Sequence, residues 1–240
     1  QSPAIANYDL NTIVAEALGA MADALEKSKD VAITARELCV AIAKAHRKVI
    51  FNGNGYSDAW HKEAEKRGLP NIRNCVDSIL TLLEKENGEV LAKHGVLSKA
   101  ELHSRVEIML EHYVKTLNIE ARTCLQIAKR QIIPTVIAFS GQVADVVVAL
   151  KAGGTKNALA GNLLKKANTL ADKLEKAVAS LEQTLESACA EENLERKAKM
   201  FRDRVLTGMN TVRESADALE SIVDSKLWPL PSYAEMLFFR

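Results

Sequence analysis

The sequence is poor in the residues that build sheets, disulfide frameworks and nucleic-acid or membrane surfaces. Aromatic residues make up 5% of its 240 residues, and there are only 5 prolines, 11 glycines and 4 cysteines, none in a Cys-x-x-Cys pair. A formal net charge of +1 gives no general attraction to nucleic acid or to anionic membranes. No uninterrupted apolar run reaches the roughly 18–20 residues that span a bilayer. We therefore expect a reduced, cytoplasmic protein with no nucleic-acid and no membrane partner.

What the sequence has in abundance is helical periodicity. Apolar residues recur at spacings of three and four from Leu10 to Leu25, from Leu102 towards Leu150, and along two stretches between Leu163 and Val223. Helices of about 30 residues would each be about 45 Å long. The short break near 191–193 would fold the last two stretches into a hairpin. These patterns predict an all-α fold, a multi-helix bundle with a long antiparallel helical hairpin and an extended C-terminal docking tail.

Local signals predict where the helices begin and end. Asp30 and Ser57 are expected N-caps, Ser98 with Glu101 fits a capping box, and Gly68 fits a C-terminal stop. Pro134 lies inside the longest periodic stretch and should kink or break it, because its ring removes one backbone hydrogen bond.

These signals divide the chain into three parts. Residues 1–150 form a helical region, residues 151–224 the hairpin and residues 225–240 the docking tail, which ends on Leu237, Phe238 and Phe239. Heptad-like spacing leaves open whether the hairpin pairs with another subunit or packs on its own domain. The first residues carry neither a secretory signal pattern nor an initiator Met, which suggests a fragment or a processed chain.

The stretch FNGNGYSDAWHKEAEKRGLP at residues 51–70 raises the question of a phosphate site. Glycines before a helix N-terminus can bring backbone N–H groups close to phosphate. However, the third glycine of a dinucleotide loop and the Gly-Lys-Ser/Thr of a P-loop are both missing. Asn and Gly also tolerate positive φ, so a structural turn is the preferred interpretation. It predicts that Gly55→Val disturbs folding or assembly, by forcing a β-branched residue into the turn.

No other group of residues in the sequence predicts a metal site or a catalytic nucleophile. His103, Glu107 and Glu111 stand at i, i+4 and i+8, but one row of ligands on one helix cannot enclose an ion, and no Glu-x-x-His pair is present. No Gly-x-Ser-x-Gly elbow occurs. The cysteines lie in apolar helical patterns, where they behave as small inert side chains: Cys39, Cys75, Cys124 and Cys189. We predict no catalytic, cofactor-binding or metal-binding residue in this segment.

Several segments together resemble one family, the type III glutamine synthetases. They are LNTIVAEAL near the start, VIFNGNGYSDAWHKEAEKRGLPN, LSKAELHSRVEIMLEHYVKTLNIEA, and LWPLPSYAEMLFF at the end. The first of them is preceded by ANYD, where the family pattern would contain a proline. The resemblance runs essentially end to end and is most specific in NGNGYSDAW.

The resemblance implies an intact parent enzyme for glutamine biosynthesis in nitrogen metabolism. Such a ligase joins ammonia to glutamate with ATP and Mg or Mn, in a catalytic domain upstream of the resembling segment. We find none of those catalytic motifs here, so this segment alone is expected to be inactive. Its expected partners are the catalytic domain of the same chain and further copies in a homo-oligomer. The alternative is a free-standing helical scaffold or adaptor without enzymatic activity.

The resemblance carries the NGNGYSDAW loop over as a motif without assigning its role. We expect residues 163–223 to serve assembly, and the loop, within residues 51–68, to be a structural docking motif against the missing catalytic domain. Tyr56 and Trp60 would anchor it there, and the two glycines would form the turn. The residues of this motif are Asn52, Gly53, Asn54, Gly55, Tyr56, Ser57, Asp58 and Trp60.

Overall fold

The chain is predominantly helical in the part that a computed structural model describes, residues 3–155 and 158–238. Within these residues there are nine helices and no strand, which confirms the predicted all-α class. Two compact units divide the chain, Gln1–Met109 and Leu110–Arg240. The predicted boundaries after residues 150 and 224 both fall inside the second unit, because Ile133–Ala152 packs on Ala158–Ala190.

The first unit consists of short helices and the beginning of a long one. Helix α1, Ala4–Glu26, packs against α2, Val31–Ala45, and α5, Lys85–Lys93. A small apolar cluster forms around three leucines, Leu91, Leu97 and Leu102, with Tyr8 and Leu82 packed against it. The helices are α1 Ala4–Glu26, α2 Val31–Ala45, α3 Asp58–Lys66, α4 Cys75–Thr81, α5 Lys85–Lys93 and the start of α6, Lys99–Ala152.

The predicted helix ends are confirmed by hydrogen bonds and backbone angles. The Asp30 carboxylate accepts an amide hydrogen bond of 3.1 Å, and the Ser57 hydroxyl accepts one of 3.3 Å. Ser98 and Glu101 form the capping box, with bonds of 3.3 Å and 2.8 Å. Gly68 ends α3 with φ of +72°, the left-handed conformation that glycine adopts without penalty.

The apolar stripe on α1 is exposed. Leu10, Ile13, Val14 and Leu18 are between 55% and 62% exposed, and the one buried residue of this helix is Thr12. The Thr12 hydroxyl donates to the carbonyl of Tyr8 at 2.6 Å. The periodicity thus predicted the helix, while the stripe remains uncovered within the described chain.

The second unit contains the predicted hairpin. Helix α7, Ala158–Ala190, packs most extensively against Leu206–Glu220 and then against Ile133–Ala152. Helix α8 comprises Leu194–Met200, a π-helical turn at Phe201–Val205, and Leu206–Glu220. The core between these helices includes five fully buried side chains: Leu174, Leu181, Phe201, Val205 and Leu219. Because the chain reverses between α7 and α8 over three residues, the hairpin is antiparallel, as predicted.

Pro134 neither breaks nor interrupts α6. The helix instead widens into a π-helical turn at Ala128–Ile132, in which the amide of Ile133 donates to the carbonyl of Ala128, five residues back. A π turn shifts the hydrogen-bond pattern by one residue, and this accommodates a proline that has no N–H to donate.

Helix α6 also corrects the expectation about apolar runs. An 18-residue window within it has a mean hydropathy of 1.8, and only 17% of that window is buried. By length and composition this one helix could cross a membrane. Counting uninterrupted runs missed it, because Ser, Gly, Gln and the single charge of Asp145 divide residues 131–150.

The C-terminal segment ends in a short helix, α9, Tyr233–Leu237, with a capping box between Ser232 and Glu235. Leu237 is 74% exposed and Phe238 is 78% exposed, so this end makes little contact with the described chain. Phe239 and Arg240 of the predicted docking tail lie outside the described residues, and docking of the tail stays a prediction.

Candidate functional site

The NGNG segment is a turn whose hydrogen bonds come from its own side chains. The Asn54 side chain accepts the Tyr56 amide at 2.9 Å, an Asx-type turn. The Ser57 hydroxyl donates to the Asn54 carbonyl at 2.8 Å and accepts the Trp60 amide at 3.3 Å. The Ser57 amide also donates to the Asn54 carbonyl. The amides of Tyr56, Ser57 and Trp60 are thus engaged within the turn, which favours the structural interpretation.

Behind the turn lies a compact aromatic and cationic stack. The rings of Phe51 and Trp60 are 4.2 Å apart and 23° from parallel. The Arg67 guanidinium lies 5.4 Å from the centre of the Trp60 ring, within the range of a cation–π contact. This arrangement holds both ends of the loop against α3.

Arg67 also ties the loop backbone to α3. One of its terminal nitrogens donates to the carbonyls of Lys48 and Ile50, at 3.1 Å and 2.9 Å. Its Nε donates to the Glu63 carboxylate at 2.7 Å. This hydrogen bond is the main cause that lowers the pKa of Glu63 below its ordinary value. A planar guanidinium makes all these contacts at once, and lysine could not.

The two glycines of the loop have different roles. A Cβ at Gly53 would lie 2.6 Å from Cζ and 2.8 Å from Cε1 of Phe51, so this position is closed by the ring. A Cβ at Gly55 would meet no atom within 4 Å, and Gly55 is not among the glycines with positive φ. The prediction that Gly55→Val would force a side chain into a closed turn is therefore wrong in its physical reason. The steric constraint lies at Gly53 instead.

A groove of about 830 Å³ lies beside Arg67. Three of its cations, Lys44, Arg47 and Lys48, lie in the last turn of α2 and the residues just after it, where the helix dipole favours positive charge. Its lining residues are Val40, Ala43, Lys44, Arg47, Lys48, Ile50 and Arg67.

The predicted docking motif therefore has one inward and one outward aromatic residue. Trp60 is half-buried in its own unit, whereas Tyr56 is 95% exposed.

The sequence analysis missed Phe51, Glu63 and Arg67 as parts of this site. Their signal was present, since Glu63 and Arg67 stand at i and i+4 and Trp60 and Arg67 are two turns apart. Docking of the motif on another domain stays a prediction.

Metal ligands and cysteine thiols are the other candidates for chemistry that the sequence raised. No group of three or more His, Cys, Asp or Glu side chains comes together there. In the row predicted from sequence, Glu111 pairs with Lys115 at 2.7 Å.

All four cysteines are free thiols, but Cys39 and Cys75 are exposed, which corrects the expectation of apolar surroundings for them. Burial raises the pKa of the Cys124 thiol, which makes it a weaker nucleophile.

The comparisons with known proteins give one consistent result. The family described as Glutamine synthetase C-terminal domain matches residues 34–151. A glutamine synthetase of Butyrivibrio fibrisolvens is 34% identical over 81% of this chain and 28% of its own length. The Type-3 glutamine synthetase of Dictyostelium discoideum is 31% identical over 96% of this chain and 33% of its own length. A glutamine synthetase of Bacteroides fragilis (strain YCH46) is 26% identical over 99% of this chain and 34% of its own length.

The chain thus spans about a third of the length of the curated relatives it matches. The family match includes the NGNG turn, α3 to α5 and nearly all of α6. Most of the chain is covered by relatives that share one name. The chain belongs to the glutamine synthetase family, and residues 34–151 correspond to its C-terminal domain.

Proposed function

We propose that this chain is the helical region of a larger glutamine synthetase, an ATP-dependent ligase of glutamate and ammonia. In this proposal it assembles subunits and supports a catalytic domain that lies elsewhere in the parent protein. The observation that carries the proposal is the large amount of apolar surface left uncovered on helices of a family domain.

This apolar surface occurs in both units. On α1, Leu10 and Ile13 are 62% and 61% exposed. On α6, Ile137 is 66% exposed, and on α7, Leu159 is 75% exposed. Large apolar side chains left exposed on helix faces favour interaction surfaces, because covering them gains about 25 cal/mol for each Å² removed from water. A homo-oligomer and the catalytic domain of the same chain are the proposed partners.

Ligase chemistry belongs outside this segment. Phosphoryl transfer from ATP to glutamate requires Mg²⁺ or Mn²⁺ held by several carboxylates. The described residues do not fit such a metal, since no cluster of carboxylates or imidazoles forms among them. We therefore propose that this segment alone is inactive, and that ATP and the metal bind in the rest of the parent protein. We place the parent in the cytoplasm.

The loop at residues 52–57 is the proposed contact to the catalytic domain. Tyr56 projects into solvent from a turn fixed by Asn54 and Ser57, and tyrosine is well suited to interfaces because it joins an apolar ring to a polar tip. We propose Tyr56 as the outward contact and Trp60 as the inward support.

The test is the size and activity of the native protein in its source cells. An antibody against this chain should detect a protein about three times as long, which forms glutamine from glutamate, ammonia and ATP when isolated. The 240-residue chain alone should form none. A native band at the size of this chain would refute the proposal in favour of a free-standing helical scaffold.

A further inference from the structure

One face of α6 within Ile133–Ala152 is apolar and uncovered. The opposite, inner side of this helix carries Val136 and Phe139, which are 2% and 7% exposed. Its outer side carries Ile137 and Val148, which are 66% and 65% exposed. A side chain at Gly141 would meet no atom within 4 Å, so the middle of the outer side is open. We call this outer side, with Pro134, Ala138 and Asp145, the α6 outer face.

Two opposite charges lie at the ends of the α6 outer face. Arg130 stands in the π-helical turn, and Asp145 stands near the other end of the face. Both side chains are exposed, and neither has an ion-pair partner among the residues that the structure describes. The neighbouring Lys129, by contrast, pairs with Glu182 across the bundle. Arg130 also borders a groove of about 620 Å³ that Glu182 and Glu186 line from α7.

The opposite signs of these two charges allow them to pair across a two-fold axis. Arg130 and Asp145 are separated by about 22 Å at a rise of 1.5 Å per residue. When two such helices lie antiparallel about a two-fold axis, each Arg130 comes opposite the partner's Asp145. The axis then passes between Ile137 and Ala138, where the face is apolar and narrow. An isologous contact of this kind repeats the same pairs on both sides of the axis.

We infer that the α6 outer face binds a second copy of this chain, antiparallel and about this axis. The inference rests on the proposed assembly role and specifies the surface that serves it. Complementary charges at both ends of an apolar stripe fix the register, while burial of Ile137 and Val148 supplies the affinity. A bilayer would cover the stripe equally well, but it would leave Asp145 in hydrocarbon and Arg130 without a counterion.

Cross-linking of the intact protein tests the axis directly. Ala138→Cys places two thiols next to the axis, within reach of the 3.5–4.5 Å between Cβ atoms that a disulfide requires. Mild oxidation should give a covalent dimer in high yield. Ala179→Cys is the matched control, because Ala179 is an exposed alanine on the helix α7. Equal yields from the two variants, or no dimer from Ala138→Cys, would overturn the inference.

Charge reversal tests the register. Arg130→Asp and Asp145→Arg should each raise the dissociation constant of the dimer about tenfold, because like charges then face each other at both ends. The double variant restores opposite charges and should restore dimerisation. The inference would be overturned if the double variant dimerised no more tightly than the single variants while the helical circular dichroism of all variants stayed unchanged.

Two further outcomes separate this inference from the proposed function. Glutamine synthetase activity in an oligomer that shows no Ala138→Cys dimer would refute the α6 contact and leave the proposed function standing. Binding of the protein to phosphatidylcholine vesicles, with protection of Ala138→Cys from a water-soluble thiol reagent, would show that lipid covers the face. Absence of ligase activity together with the dimer would refute the proposed function alone.

Discussion

Replacement of Gly53 by alanine should destabilise the loop that precedes α3, and Gly55 offers the matched control. The new methyl group would lie 2.6 Å and 2.8 Å from two atoms of the Phe51 ring, so the ring must move. Moving the Phe51 ring disrupts its stack with the Trp60 ring, whose centre is 4.2 Å away. Such an aromatic pair contributes about 0.5–1.5 kcal/mol. Together with the strain of overpacking, we expect Gly53→Ala to cost about 1–2 kcal/mol.

Urea unfolding followed by Trp60 fluorescence measures this cost, in a Trp228→Phe background that leaves one tryptophan. With a slope of about 1–3 kcal/mol per M, the midpoint should fall by about 0.3–2 M. Gly55→Ala should change the free energy of unfolding by less than about 0.5 kcal/mol, because its Cβ meets no atom within 4 Å. Equal losses in the two variants would refute the steric argument.

Three further changes test other parts of the structure. Arg67→Lys should lower the free energy of unfolding by about 1–2 kcal/mol in the same fluorescence assay, because lysine cannot hold two loop carbonyls and Glu63 together. Leu174→Ala should cost about 2–5 kcal/mol by thermal unfolding, since Leu174 is 0% exposed, whereas exposed Glu175→Ala should stay within about 0.5 kcal/mol. The pKa of Glu101 is lowered from 4.5, chiefly by the Ser98 amide, so its contribution exists above that pH and disappears as the pH falls through the lowered pKa. Glu101→Gln should therefore flatten the loss of melting temperature below about pH 4.5, and an unchanged acid slope would contradict the assignment.

Helix positions were predictable because they depend on local chemistry. Caps such as Asp30 and Ser98 satisfy amides within three residues of themselves, so the sequence alone contains both partners. Burial was less predictable, because it depends on what packs against a helix. The stripes on α1 and α7 have the same spacing, yet Leu174 is buried at 0% and Leu10 is 62% exposed.

The candidate site shows the same division between local and distant contacts. The Asn54 and Ser57 bonds join residues two or three apart, and the turn followed from those residue types. The bonds from Arg67 reach 17 and 19 residues back, to Ile50 and Lys48, and no periodicity encodes them. The distinct role of Gly53 depends on where the Phe51 ring lies, which the repeated Asn-Gly pattern could not indicate.

The two π-helical turns have a consequence for how the chain tolerates changes in length. Each turn, at Ala128–Ile132 and at Phe201–Val205, holds one residue more than an α-helical turn would. Loss of one residue at either place could be absorbed by return to α-helical geometry, while the flanking stretches keep their faces towards the core. Elsewhere in α6 or α8 the same deletion would rotate every following side chain by about 100°. Among the described residues, these turns are thus two positions within the long helices where one residue can be lost while the flanking faces keep their packing.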